Sequence, residues 1–110
     1  MTNPDLRFDD KVVVVTGSSR GLGKQMALGF AEAGAHVVVT SRKVAACEPV
    51  AEQVRAMGRR ALTVACHVGR WDECAGLIDA TVGEFGRIDV LVNNAGIAPV
   101  PPSLAQLSED

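Results

Sequence analysis

The stretch that decides the fold is KVVVVTGSSRGLG, residues 11–23. Its first six residues form a run rich in valine without polar alternation, which is typical of a parallel strand covered on both faces. Gly17, Gly21 and Gly23 follow at GxxxGxG spacing, and a segment with helical periodicity then runs to about Ala33. The stretch therefore predicts a strand, a glycine turn and a helix.

A glycine turn between a strand and a helix can hold a diphosphate. Gly17 permits a sharp exit from the strand, Gly21 leaves room for a pyrophosphate beside the backbone, and Gly23 lets the helix pack closely. The first helical N–H groups then face the phosphates. An ordinary glycine-rich turn is the alternative. A P-loop is not indicated, because no Lys-Ser or Lys-Thr pair follows the last glycine.

The rest of the chain alternates strands and helices. Apolar periodicity predicts further strands at 36–40, 61–66 and 89–93, and further helices near 45–57 and 71–85. This alternation predicts right-handed crossovers and an α/β doubly wound parallel sheet. We expect Pro49 in the first turn of its helix and His36 at the surface. An apolar row on the third helix is expected to pack in the core: Trp71, Ala75, Ile78, Val82 and Phe85.

Length and composition exclude several classes of protein. A chain of 110 residues predicts one domain, and a hydrophobic fraction of 47% excludes disorder. Eleven basic and thirteen acidic side chains give a net charge of -2, which predicts no nucleic-acid partner and no membrane patch. No apolar run is long enough to span a membrane. We interpret residues 1–10 as an N-terminal arm that precedes one domain over residues 11–110.

Three cysteines, Cys47, Cys66 and Cys74, form no CxxC pair. The count predicts neither a disulfide framework nor a metal site. Buried reduced thiols are expected instead, and these are typical of a cytoplasmic protein.

The end of the second strand favours NADP(H) over NAD(H) as the cofactor. Sites for NAD commonly place an acidic residue there to bind the ribose hydroxyls, whereas this sequence has TSRK at 40–43. Arg42 can pair with a 2′-phosphate, and Arg20 can reach the same region. A solvated basic pair is the alternative, and NAD(H) stays possible.

Several motifs resemble those of the classical short-chain dehydrogenases/reductases. TGSSRGLG at 16–23 resembles the cofactor motif of that family, and NNAG at 93–96 resembles a second family motif. SRK at 41–43 and CHVG at 66–69 are similar to the NADP-dependent carbonyl and retinol reductase-like members. The resemblance covers the chain from Lys11 onward and implies that residues 11–110 are a partial NAD(P)-binding Rossmann domain.

The resemblance implies a Rossmann-type sheet of order 3-2-1-4-5-6-7, of which this chain encodes 3-2-1-4. His67 stands where many members carry an aspartate, and its imidazole can accept one hydrogen bond from the adenine amino group. An exposed loop histidine is the alternative, and a Cys66–His67 nucleophile pair is disfavoured because adjacent strand residues face opposite sides. The implied cofactor-binding residues are Gly17, Ser18, Ser19, Arg20, Gly21, Leu22, Gly23, Ser41, Arg42, His67, Val68, Asn93, Ala95 and Gly96.

The resemblance also implies the interconversion of an alcohol and a carbonyl by hydride transfer. The catalytic serine, tyrosine and lysine of the family follow the NNAG motif, and the sequence contains no tyrosine, so no catalytic residue is assigned. We expect an N-terminal segment of a longer reductase that is inactive alone and homo-oligomeric at full length, with an open apolar edge at the fourth strand. An inactive nucleotide-binding fragment and an interaction module are the alternatives. The substrate is not predicted.

Overall fold

Seven elements alternate along residues 7–67 and 70–94, the part of the chain that the computed structural model describes. Every strand and helix predicted within this part is present. The elements are β1 (Val12–Val15), α1 (Gly21–Glu32), β2 (His36–Ser41), α2 (Val44–Ala56), β3 (Ala61–Ala65), α3 (Trp71–Phe85) and β4 (Val90–Val92).

The four strands form one parallel sheet in the order β3-β2-β1-β4, which confirms the predicted topology. Strand β1 lies inside the sheet, and Val14 pairs with Val38 on one side and with Leu91 on the other. All four valines of β1 are buried. The valine run is therefore apolar on both faces because both faces are covered.

The two faces of the sheet are covered unequally. Helices α1 and α2 share the face that includes Val13 and Val39, and α1 approaches it through small residues such as Ala27 and Ala31. Helix α3 covers the opposite face around Val14. None of the helices in the described ranges is both long enough and apolar enough to cross a membrane.

The apolar row predicted to lie in the core on α3 is mostly exposed, so that expectation is wrong. Trp71 is 64% exposed, Val82 is 46% exposed, and only Phe85 of the row is half-buried. The helix instead buries Leu77 and Thr81, and the Thr81 hydroxyl donates a hydrogen bond to the Leu77 carbonyl at 2.8 Å. Because this bond satisfies the hydroxyl, a polar residue can face the sheet while the apolar row faces outward.

The exposed row and the edge strand β4 border an open groove of about 450 Å³. Leu91 of β4 is 54% exposed, as expected for an apolar strand at the sheet edge. The groove has mainly apolar walls and two polar side chains near the carboxyl ends of the strands. Its lining residues are Thr16, Trp71, Cys74, Ala75, Leu77, Ile78, Leu91 and Asn93.

Pro49 is the sixth residue of α2, so its predicted place in the first turn is wrong. Proline lacks the N–H that would bond one turn back, which weakens a helix interior. Its ring lies on the exposed side of α2. The opposite side, which includes Val50 and Val54, is fully buried against the sheet and stabilises the helix around the missing hydrogen bond.

His36 is not the surface residue that we expected. Its side chain is only 18% exposed, and its Nδ1 accepts a hydrogen bond from the Arg60 backbone N–H at 3.0 Å. The ring stacks on Phe85 at a centroid distance of 6.0 Å, and the Arg60 guanidinium lies over the same phenyl ring. This cluster joins β2 to the end of α3 at the amino end of the sheet.

Residues 7–10 of the predicted arm pack on the end of α1. The Phe8 N–H donates to the Ala33 carbonyl at 2.9 Å, and the Phe8 ring meets Phe30 edge to face at 5.1 Å. The Asp10 N–H donates to the Gly34 carbonyl at 3.0 Å. This part of the arm therefore covers the turn between α1 and β2.

Asp89 joins the start of β4 to β1 through hydrogen bonds in both directions. Its Oδ2 accepts from the Val12 N–H at 2.8 Å, and its own N–H donates to the Val12 carbonyl at 2.9 Å. Its Oδ1 accepts from the Arg87 guanidinium at 2.6 Å. The Arg87 hydrogen bond, followed by the Val12 hydrogen bond, holds the pKa of the Asp89 carboxyl below its ordinary value.

We expect Asp89→Asn to unfold at lower urea concentration than the parent chain at pH 7. A carboxyl whose pKa is lowered by folding adds stability above its ordinary pKa of about 3.9, and that stability is lost as the pH falls through the folded value. The difference in the free energy of unfolding between the parent chain and Asp89→Asn should therefore become smaller as the pH is lowered from about 4. Urea unfolding across this range measures it, with exposed Asp79→Asn as the control. A difference that does not change with pH would contradict the role of the charge.

Candidate cofactor site

The predicted site residues follow the carboxyl ends of the four strands. Gly17 lies two residues after β1, Ser41 ends β2, His67 lies two residues after β3, and Asn93 directly follows β4. Because the strands are parallel, these ends meet at one edge of the sheet. We call this the carboxyl edge.

The glycine turn has the backbone that its sequence predicts. Gly17 and Gly21 both have φ of 61°, in the left-handed region that favours glycine. A Cβ on Gly23 would collide with the Gly17 carbonyl oxygen and lie 2.6 Å from Asn94 Nδ2, whereas a Cβ on Gly21 would meet no atom within 4 Å. Gly23 is therefore required for close packing, and the backbone at Gly21 is open to a ligand.

Helix α1 begins at Gly21 without a side-chain cap. Its N-cap residue, Arg20, makes no capping hydrogen bond, and its first turn contains no acidic residue. The first N–H groups of a helix have no partner within the helix and carry partial positive charge. The open backbone at Gly21 and these donors fit the diphosphate of a dinucleotide. Arg20 and Leu22 are exposed beside them, and Ser19 is half-buried.

Ser18 faces inward rather than toward a ligand. Its side chain is fully buried, and its hydroxyl donates to the Val15 carbonyl at 2.7 Å and accepts from the Thr40 N–H at 2.9 Å. Its own N–H donates to the Thr40 carbonyl at 2.9 Å. These hydrogen bonds hold the glycine turn against β2.

The end of β2 presents Arg42 to solvent. The Ser41 hydroxyl accepts from the Lys43 N–H at 3.2 Å and donates to the Lys43 carbonyl at 2.9 Å. This turn leaves Arg42 exposed, and within the described ranges its guanidinium pairs with no carboxylate. The side chain is thus available to an anionic ligand.

The end of β3 lies against the end of β2. The Cys66 N–H donates to the Ser41 carbonyl at 2.8 Å, which places half-buried His67 beside Ser41. The His67 N–H donates to Glu73 Oε1 at 2.7 Å. Val68, the next predicted site residue, lies outside the described residues.

Cys66 does not have the properties of a nucleophile. All three cysteines are free thiols, with Cys47 and Cys66 buried as expected and Cys74 half-buried. Burial, followed by the neighbouring Cys74 and Glu73, raises the pKa of the Cys66 thiol to about 11. The thiol is therefore protonated at neutral pH, and a protonated thiol is a poor nucleophile.

The end of β4 is joined to the glycine turn by side-chain hydrogen bonds. Thr16 Oγ1 accepts from the Asn94 N–H at 2.8 Å and donates to Asn93 Oδ1 at 3.1 Å. Asn94 Nδ2 donates to the Gly17 carbonyl at 3.2 Å. The asparagine pair therefore joins β4 to the turn. Ala95 and Gly96, also predicted for the site, lie outside the described residues.

Two residues that organise the site were not singled out from the sequence. Thr16 uses its hydroxyl to join β1 to Asn93 and Asn94. Glu73 is the third residue after the N-cap of α3 and reaches back to His67. An acidic residue at that spacing from a helix start is a known signal, and it could have identified Glu73.

The parallel sheet, the glycine turn at the start of α1 and the asparagine pair define a Rossmann-type fold. A family model described as short chain dehydrogenase matches residues 11–110. The chain belongs to the short-chain dehydrogenase family of oxidoreductases.

Individual relatives agree with this assignment. An uncharacterized oxidoreductase of Mycobacterium tuberculosis is 51% identical over 90 residues, which are 82% of this chain and 34% of the relative. The 7α-hydroxysteroid dehydrogenase of Escherichia coli K12 is 38% identical over 97 residues, which are 87% of this chain and 38% of that enzyme. A 7α-hydroxysteroid dehydrogenase solved with NADH and 7-oxo glycochenodeoxycholic acid superposes with a TM-score of 0.82 at 35% identity, over 98% of this chain and 43% of that one. The chain thus spans less than half the length of these relatives.

We expect Gly23→Ala to destabilise the protein, although alanine is the better helix former. The added methyl group has no space between Gly17 and Asn94, so the turn or the asparagine must move. Overpacking of this kind costs about 1–3 kcal/mol. Urea unfolding measures the free energy of unfolding.

Gly29→Ala is the matched control, because it lies in the same helix and its Cβ would meet no atom within 4 Å. This variant should be more stable than the parent chain by about 0.5–1 kcal/mol. If Gly23→Ala and Gly29→Ala changed the free energy of unfolding equally, the close contact at Gly23 would not constrain the turn.

Proposed function

We propose that this chain is the NADP(H)-binding portion of a short-chain dehydrogenase/reductase that interconverts an alcohol and a carbonyl. The observation that carries the cofactor choice is the exposed guanidinium of Arg42 directly after β2, which pairs with no carboxylate of the described residues. This strand end is hydrogen-bonded to the glycine turn through Ser18 and Thr40. A 2′-phosphate on the adenosine ribose is the anion that Arg42 would bind, with Arg20 nearby in the turn.

The other predicted site residues would each contact a different part of the cofactor. The N–H groups at Gly21 and Leu22 would hold the diphosphate, and His67 would contact the adenine. Asn93, Ala95 and Gly96 would line the side of the cleft that receives the ribose and the nicotinamide. The bound nicotinamide supplies or accepts the hydride. NAD(H) stays the alternative cofactor, since the superposed 7α-hydroxysteroid dehydrogenase contains NADH.

The exposed face of α3 supports the proposal that the chain is part of a longer reductase. A right-handed crossover from β4 to a further strand would place its helix on the α3 face, over the groove beside Leu91. We propose a partial domain over residues 11–110, an arm over residues 1–10, and a cytoplasmic, homo-oligomeric full-length protein. Its substrate would be a small alcohol or carbonyl compound.

A nucleotide-binding fragment without chemistry is the second candidate. A Tyr-x-x-x-Lys motif encoded beyond Asp110 in the same reading frame would decide for the reductase, because the family's proton-transferring residue is a tyrosine. The open groove on α3 would then serve as an interaction surface. The two candidates agree on cofactor binding and differ in whether chemistry accompanies it.

We expect Arg42→Ala to weaken NADPH binding by about 10- to 100-fold, because one hydrogen bond to a charged group contributes about 1.5–3 kcal/mol. NADH lacks the 2′-phosphate, so its affinity should change by less than about twofold. Isothermal titration calorimetry with both cofactors measures the effect.

Lys11→Ala is the control for a general loss of positive charge, since Lys11 is exposed at the opposite end of β1. It should leave both affinities unchanged. Equal losses of NADPH and NADH affinity in Arg42→Ala would exclude the 2′-phosphate role.

We expect the 110-residue chain to bind NADPH without oxidising alcohols or reducing carbonyl compounds. The measurement is the absorbance of NADPH over time with a panel of sugar, steroid, retinoid and keto-acyl substrates. The control is the same chain covalently extended by the remaining segment of its own gene product. Turnover by the 110-residue chain alone would overturn the expectation of inactivity.

A further inference from the structure

Glu73 lies in the first turn of α3 and faces back toward the end of β3. Its Oε1 accepts a hydrogen bond from the His67 N–H at 2.7 Å, and its Oε2 lies 3.7 Å from Arg70 Nε. Arg70 is the N-cap residue of α3 and makes no capping hydrogen bond with its own side chain. Glu73 therefore supplies a side-chain contact between the start of this helix and the preceding strand end.

His67 is held on both sides by these contacts. The Cys66 N–H donates to the Ser41 carbonyl at 2.8 Å, so the residue before His67 is fixed to β2. The His67 carbonyl accepts from the Arg70 N–H at 3.0 Å, and its N–H donates to Glu73. Of these three hydrogen bonds, only the one from His67 to Glu73 uses a side chain, so a substitution can remove it alone.

We propose that Glu73 is a positioning residue for the adenine end of the cofactor. It holds the His67 backbone at a fixed place beside Ser41 and touches no part of the nucleotide itself. This inference rests on the proposed cofactor function. It concerns the acceptor oxygen of Glu73 and not its charge.

Removing the charge of Glu73 and removing its hydrogen bond should have opposite effects on cofactor affinity. A carboxylate near a polyanionic cofactor disfavours binding by Coulomb repulsion, so removing the charge alone should leave the affinity equal or raise it. Removing the acceptor frees the His67 backbone and should lower the affinity. Glutamine keeps an acceptor oxygen at the same position and loses the charge, whereas alanine loses both.

The test compares Glu73→Ala, Glu73→Gln and Asp72→Ala in the 110-residue chain by isothermal titration calorimetry. Asp72 is the matched control, because it is the other acidic residue in the first turn of α3 and is exposed. Its removal changes the charge at the helix start equally and leaves the His67 hydrogen bond intact. The probes are NADPH, adenosine 2′,5′-bisphosphate for the adenine end and inorganic pyrophosphate for the glycine turn.

We expect Glu73→Ala to weaken NADPH and adenosine 2′,5′-bisphosphate binding by about 2- to 10-fold, the effect of one lost hydrogen bond. Pyrophosphate binding should be unchanged, since the glycine turn does not contact Glu73. Glu73→Gln and Asp72→Ala should stay within about twofold of the parent chain for all three probes. In proton–nitrogen correlation spectra, the His67 amide should gain rapid solvent exchange in Glu73→Ala and stay protected in Glu73→Gln.

Three outcomes would overturn this proposal and leave the proposed function intact. Equal affinities of Glu73→Ala and Asp72→Ala for NADPH would show that the hydrogen bond does not position the site. Equal losses in Glu73→Ala and Glu73→Gln would assign the effect to charge. A loss of pyrophosphate affinity matching the loss of NADPH affinity would indicate general destabilisation. A parent chain that binds neither NADPH nor NADH would instead refute the proposed function, and this inference with it.

Discussion

The Ser18 hydroxyl holds together the two strand ends on which the site depends. It donates to the Val15 carbonyl and accepts from the Thr40 N–H, so the end of β1 and the end of β2 have a fixed separation. The glycine turn begins beside this junction, and Arg42 follows it by two residues. The direction in which α1 leaves the sheet and the place where Arg42 meets solvent therefore follow from one buried side chain.

Similar hydrogen bonds extend across the whole carboxyl edge. Ser41 joins β2 to β3 through Cys66, and Thr16 joins β1 to the asparagines after β4. The amino end of the sheet is held separately, by the ring cluster around His36 and by the hydrogen bonds of Asp89 to Val12. The interactions at the amino end of the sheet, which hold the strands in register, are therefore separate from those that shape the carboxyl edge.

Local features could be predicted from the sequence because they depend on residues close together in the chain. The valine run of β1 and the glycine spacing defined a strand, a turn and a helix, and the strand order followed from the family resemblance. The inward orientation of Ser18 could not be predicted, since it depends on Thr40 in another strand. The same reason explains the wrong interpretation of His36, whose partners are Arg60 and Phe85.

The apolar row on α3 shows that hydrophobic periodicity alone does not predict which side of a helix faces the sheet. The pattern identified an apolar side of the helix, but Leu77 packs against the sheet and Thr81 is buried instead. Trp71 is consequently in the open groove, and it is the sole tryptophan of a sequence that has no tyrosine. The indole fluorescence of this 110-residue chain therefore comes from a single place, and its emission wavelength reports on the polarity of that groove without overlap from tyrosine emission.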